Sequence, residues 1–360
     1  MAPHDHDRED LTLPDLIEGP TRDLTSARAA ALAHSDDHEV DGTSGDPQGS
    51  QLHDQPGGAG GGPGGEPGGG PGGRRQEVLG RLPAAGGLYR RALLGAVPGL
   101  GGRRGRGREL PAVELTVAGV PVDAAHLAAY DRVCGFRLAD RLPATYLHVL
   151  GFPVSLRLMT AADFPIPLTG VVHVANRITV HRPARVGETV DFHTYAENLR
   201  PHERGRQLDV VLVGSIGGEE VWRGVSTYLG KERAAGGGPR RDRGDRPTPP
   251  ATTAQWRVTP RVGTDYARVS GDHNPIHTSK LGARLFGFPR PIAHGMWSKA
   301  RCLAALEARL PDAYTVDVAF KLPVPLPSTV AFRAAADGAG WDFGLHGARD
   351  GRPHLVGTVR

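Results

Sequence analysis

The sequence predicts an α+β protein made of two tandem copies of one module behind an unstructured tail. Three observations carry that expectation. Residues 1–76 lack the apolar content to pack. The order strand, helix, then further strands occurs twice. And YDRVCGF at Tyr130–Phe136 is matched by YARVSGD at Tyr266–Asp272, with tyrosine, arginine, valine and glycine at the same spacing, the mark of a duplicated module.

Met1 to Gln55 is acidic and poor in aromatics, with Asp36, Asp37, Glu39 and Asp41 close together, and residues 56–73 are almost all glycine and proline without a collagen period. Residues 1–76 are therefore expected to be disordered, an acidic tail followed by a flexible tether. The net charge of +4 hides a basic folded part, because setting aside a tail of about −10 leaves roughly +14. That balance suits nucleic acid, a membrane surface, or phosphate-bearing small molecules and acidic carrier proteins. Nucleic acid is the weakest of these, since no zinc-finger spacing or RNA-binding motif accompanies the arginines. Cys134 and Cys302 are too few and too far apart for a disulfide framework. No apolar run nears the roughly 20 residues of a membrane span. A soluble protein of the reducing cytoplasm is expected.

Order is expected from about Glu77. Gly86–Leu100 reads as a short amphipathic helix, with Leu88, Ala92 and Leu93 at helical spacing beside Arg90 and Arg91, and Arg103–Leu110 as an exposed basic loop. Glu109–Val122 reads as a strand. Asp123–Phe136 is a helix capped by Asp123, and Pro143–Thr160 a buried apolar helix interrupted at Pro153. Four strand-like runs follow as an antiparallel meander, closing a first module over residues 77–232. Residues 233–250, rich in Gly, Arg, Asp and Pro, read as a linker. The second module, 251–360, repeats the order: a strand at Trp256, a short helix around Tyr266, a loop, a long helix from about His294 to Leu310, and strands near Val316–Lys321, Thr329–Ala336, Trp341–His346 and Leu355–Val359.

The copies differ where chemistry would sit. Phe136 stands where Asp272 does, and without gaps Arg141 falls opposite His277. The shared tyrosine and glycine read as scaffold, and Cys134 as a small buried residue rather than a nucleophile. In the second copy Pro275 pushes Asn274 out of the helical region, so Asp272 and His277 are expected on a bent loop, turned toward one point as joint activation of a water molecule requires. The same pair, with His273 and His294, also suits a metal. A structural hydrogen bond is the plainer alternative. Ser270 as a hydrolase nucleophile is not supported, because GDHNP is not a nucleophile elbow.

SGDHNPIH, followed by AHGM at Ala293–Met296 and FKLPV at Phe320–Val324, resembles the MaoC-like family of (R)-specific enoyl-thioester hydratases. Over roughly Gly86–Arg360 the chain is most similar to the long members with two fused hot-dog modules, among them the actinobacterial 3-hydroxyacyl-thioester dehydratases. The resemblance implies a tandem hot-dog fold, each module a curved antiparallel sheet around a central helix. It implies reversible syn hydration of trans-2-enoyl thioesters to (3R)-3-hydroxyacyl thioesters in fatty-acid metabolism. Asp272 and His277 would be catalytic, with a degenerate first module leaving space for a long acyl chain. No metal or cofactor is implied beyond the thioester's carrier, coenzyme A or the phosphopantetheine of acyl carrier protein. The acyl-CoA or acyl-ACP substrate is the expected partner, with no nucleic acid and no membrane span, in a homodimer or a pseudo-dimeric monomer.

On that reading Gly295, at the start of the central helix, offers its N–H to the thioester oxygen, since helix N-termini favour developing negative charge. Asn274 steers the loop or the substrate amide. His294 caps the helix first and contacts substrate second, and Pro275 shapes the loop. A non-catalytic acyl-thioester or acyl-carrier-protein binding subunit and a hot-dog thioesterase are the alternatives.

Overall fold

The computed structural model describes residues 73–89, 107–168, 171–231 and 251–360. The acidic and glycine-rich tail up to residue 72, the linker, and most of the stretches 86–100 and 103–110 lie outside them. A helical turn at 85–89 is the described part of the first of these stretches.

The first module opens with β1 (Arg75–Leu79) and β2 (Val113–Pro121), followed by α1 (Ala124–Cys134) and α2 (Ala144–Met159). Asp123 caps α1 as expected, its Oδ1 accepting from the N–H groups of Ala125 at 2.7 Å and His126 at 3.1 Å. The helix in α2 is not interrupted at Pro153. It runs through the proline, because nearly all of its side chains are buried and packing holds what one missing hydrogen bond would loosen. Strands β3 (Val171–Val180), β4 (Thr189–His202), β5 (Gly205–Ile216) and β6 (Glu219–Lys231) complete the wrap, and α2 packs against β2 to β6.

The second module repeats this plan. Strand β7 (Ala254–Val258) leads to α3 (Arg261–Ser270), the short helices α4 (Pro275–Thr278) and α5 (Lys280–Leu285), the central helix α6 (Gly295–Leu306), and strands β8 (Tyr314–Phe320), β9 (Ser328–Asp337), β10 (Gly340–Gly347) and β11 (Pro353–Val359). The strands join one continuous sheet ordered β1-β2-β4-β5-β6-β3-β8-β11-β10-β9-β7. The first module is therefore not a simple meander, because β3 returns beside β6. Nor is the sheet wholly antiparallel, because β1 adds a parallel edge along β2.

The modules meet at the antiparallel pair β3–β8. Behind that seam Lys299 of α6 is fully buried, and its Nζ donates to the carbonyl of Asn176 at 3.1 Å, to Asn176 Oδ1 at 2.6 Å and to the carbonyl of Val316 at 3.1 Å. Three acceptors, two on β3 and one on β8, satisfy three N–H groups. We expect Lys299→Met to lower unfolding free energy by about 3 kcal/mol, since it strands those acceptors in the core. Urea denaturation reads this, and a loss below about 0.5 kcal/mol would show the seam to be held otherwise.

The repeated heptapeptides also meet here. Tyr130 and Tyr266 are buried with ring centroids 6.3 Å apart, across the contact of α1 with α3. Gly135 and Gly271 both end their helices in the left-handed region, at φ 84° and 70°, which is the reason for glycine in each copy. Beyond the glycine the copies diverge by an insertion. The bridge Arg141–Arg185 in the first copy corresponds to Ile292–Pro325 in the second. Each is followed by an equivalent backbone bond, Leu142 to Ala184 and Ala293 to Val324. Arg141 thus stands opposite Ile292, not His277. Helices α4 and α5 have no counterpart in the first copy.

Candidate active site

That insertion holds the candidate residues Asn274 and His277. Where α3 ends at Gly271, the Asp272 N–H is held by Ser270 Oγ at 3.2 Å, and Asp272 Oδ1 in turn accepts the Asn274 N–H at 3.2 Å. Asn274 Oδ1 then caps α4 by accepting from the Ile276 N–H at 3.3 Å, with Pro275 in the first helical position. His277 therefore sits on a helical turn rather than on an open loop. Its Nδ1 lies 2.8 Å from the carbonyl of Ile292, an acceptor, so Nδ1 carries the proton and Nε2 keeps its lone pair. Gly263 of α3 makes this possible, because a Cβ there would fall 2.0 Å from the carbonyl oxygen of His277.

His294 precedes α6, but its side chain makes no cap bond. Its Nε2–H instead donates to the backbone carbonyl of Asp272 at 3.0 Å, and its ring stacks on His277 with centroids 3.7 Å apart. The expected capping role gives way to bridging the Asp272 loop and the helix. Its Nδ1 is buried with no partner. Donor atoms of Asp272, His277 and His294 all lie within 4.8 Å of one another, so the three side chains converge. Each imidazole already spends one nitrogen on a backbone carbonyl.

Gly295 is the first residue of α6, where an N–H has no acceptor within the helix. A Cβ at Gly295 would lie 3.1 Å from the ring of Phe320. The three motif segments that the sequence singles out, around Asp272, Gly295 and Phe320, line one cavity of about 210 Å³.

A family model described as "MaoC like domain" matches residues 245–344. The 3-hydroxyacyl-thioester dehydratase X of Mycobacterium tuberculosis is 42% identical over 271 residues, covering 75% of this chain and 95% of the relative. The chain belongs to the MaoC-like family. A crystal structure of that mycobacterial protein superposes on this MaoC-like chain with a TM-score of 0.62 at 41% identity, covering 69% of this chain and 99% of the other. A MaoC-like dehydratase from Phytophthora capsici shares the fold, with a TM-score of 0.56 at 20% identity over 71% of this chain and 96% of that one. The fold is the double hot-dog.

The first module of this MaoC-like protein contributes residues that motif reading missed. Tyr89, His148, His173 and Tyr228 line the same cavity as Asp272. His148 sits inside an apolar helical run and Tyr89 inside an amphipathic stretch, so neither carries a local signature. Phe136 does not line the cavity; it stacks near Tyr130 at 6.2 Å. Burial pushes His294 down to about 3 and also lowers His277. Burial pushes the Asp272 carboxyl up, but electrostatic interaction with His294 and His277, the Tyr89 hydroxyl and the Asn274 N–H outweigh it and hold the group below its ordinary value. At neutral pH the cluster is one carboxylate beside two neutral imidazoles, an arrangement suited to taking a proton from water.

Proposed function

We propose that the protein interconverts trans-2-enoyl and (3R)-3-hydroxyacyl thioesters by reversible addition of water, with Asp272 and His277 as the catalytic pair. The observation that carries this reading is their convergence on one cavity that the N-terminus of α6 also lines. In hydration, the pair removes a proton from a water poised at C3. The hydroxide adds to C3 as the C2–C3 π electrons shift toward the carbonyl. The Gly295 N–H stabilises the enolate oxygen, and the proton held by the pair passes to C2. Water is thereby added whole and both side chains return to their starting state. The reaction calls for no group beyond the thioester's own carrier. Asn274 shapes the loop through its cap bond, and His294 ties Asp272 to α6.

The cavity shares Phe288, Ile292, Leu322, Pro323 and His354 with an adjoining groove lined by Arg257, Arg290, Arg349 and Arg352. Four guanidinium groups against one carboxylate, Asp350, in that groove favour an anionic carrier, coenzyme A or acyl carrier protein. Among the described residues no helix is long and apolar enough to cross a membrane. The two buried free cysteines fit a cytoplasmic setting. Pairing of the two modules through β3 and β8 within one chain supports a pseudo-dimeric monomer.

The far wall of the cavity is apolar, with Val149, Phe152, Met159 and Leu168 from the first module. We expect purified protein to deplete the conjugated enoyl absorbance of trans-2-enoyl-CoA without releasing free thiol. With lengthening chains kcat/KM should rise by up to about fourfold per buried methylene until the wall is filled. Thiol release would instead mark a thioesterase, and a strict short-chain preference would refute the acyl role of the first module.

A further inference from the structure

The shortest hydrogen bond to the Asp272 carboxylate comes from the other module. Tyr89 lies in the helical turn at 85–89, beyond the segment matched by the family model, and its hydroxyl donates to Asp272 Oδ1 at 2.5 Å. The ring is only 7% exposed and packs with Phe152 and Leu156, with Ala85, Leu88 and Leu168 around them. The turn also closes on the loop itself, since a Cβ on Gly271 would come within 3.3 Å of the Ala85 methyl.

We propose that Tyr89 is a positioning residue of the active site, which pins one oxygen of Asp272 and leaves the other to meet water. This rests on the reading of Asp272 as catalytic. Oδ1 accepts two bonds, from Tyr89 and from the Asn274 N–H, while Oδ2 lies 3.8 Å from His294 Nε2. A carboxylate fixed through one oxygen keeps a single rotamer, and a hydroxyl aimed at it favours the ionised form in a cavity that otherwise opposes charge. Burial pushes the phenol of Tyr89 well above its ordinary range, so it stays a donor at every working pH. The other titratable groups acting on Asp272 are His277 and His294 of its own module, Tyr266 of α3, and His148, His173 and Tyr228 of the first module. Burial pushes the three tyrosine hydroxyls up and the four imidazoles down, so all seven are neutral near pH 7. Tyr89 is the one that donates a hydrogen bond to the carboxylate itself.

The test is Tyr89→Phe, which keeps the ring in its apolar seat and removes only the hydroxyl. We expect kcat for enoyl-thioester hydration to fall about 10- to 100-fold with KM little changed, and the acid limb of kcat/KM to move to higher pH. Leu88→Ala loosens the same turn without touching the bond, so it should lower Tm and leave the acid limb in place. An unmoved limb in Tyr89→Phe, or an equal shift in Leu88→Ala, overturns the proposal. Titration of the ¹³C-labelled Asp272 carboxyl by NMR reads the same coupling without turnover. Its midpoint should rise in Tyr89→Phe, and an unchanged midpoint refutes the proposal even in an active enzyme. A wild type that shows the coupling but hydrates no enoyl thioester would sink the functional reading alone.

Discussion

Asp272→Asn and His277→Ala should each lower kcat/KM for trans-2-enoyl-thioester hydration by about 10²- to 10⁴-fold, the range for loss of a positioned acid–base group. The asparagine is the cleaner of the two. Its amide oxygen can still accept the Tyr89 hydroxyl and the Asn274 N–H that Asp272 Oδ1 accepts now, so the loop keeps its shape while losing the group that takes a proton. His277→Ala gives up the bond to the Ile292 carbonyl as well, so some loss of stability should accompany it. On the proposal that the pair works on one water, the double variant should be little worse than the poorer single variant. Burial lowers the His277 pKa, so the neutral imidazole persists and the wild type should keep its rate below the ordinary histidine range. Stopped assays at fixed protein concentration and matched Tm values check all of this. Undiminished turnover in either single variant removes that residue from the mechanism.

The sequence revealed the duplication because the repeated tyrosine and glycine do the same physical work twice, one at the contact between α1 and α3 and one ending each helix at positive φ. The strand order near β3 was not legible, since hydrophobic alternation says which residues form strands but not which neighbour they choose. Nor does it mark β1, an edge strand whose Val78 is 75% exposed. Within the site, residues close in sequence were readable from turn chemistry, and Asn274 and Pro275 announce a helix start as much as a loop. Arg141 falls opposite His277 only when no gap is allowed, whereas the copies differ by an insertion holding Asn274 and His277, which a repeat of seven residues does not reveal. Tyr89 and His148 reach the cavity only through tertiary packing, which no local pattern encodes.

That packing also buries imidazoles at a cost that depends on pH. Burial pushes His148 from the ordinary 6.5 to about 4, and burial followed by neighbouring positive charge pushes His173 and His294 to about 3. His173 keeps some ring surface on the cavity, yet its Nε2 is sealed from solvent without a partner. A depressed folded pKa leaves stability intact above the unfolded value near 6.5 and removes it as pH falls toward the folded value. Asp131 works the other way. Burial, then repulsion from Glu307, raises its carboxyl from 3.8 to about 7, so its contribution is full at low pH and lost as pH rises through about 7. Between about pH 6 and 4 these four groups therefore bind about two protons more in the unfolded chain than in the native one, three from the histidines against one from Asp131. That is a slope of about 3 kcal/mol per pH unit. Over little more than one unit this removes a large part of the roughly 5–15 kcal/mol that a folded protein holds. Urea midpoints should be level near pH 7.5 and fall steeply by pH 5. His148→Phe, with a ring of similar size and no proton to gain, should flatten the slope by about one proton. Asp131→Asn should steepen it and raise stability at pH 8. A stability curve flat from pH 7 to 5 would mean that these imidazoles take up protons in the native protein as freely as in the unfolded chain.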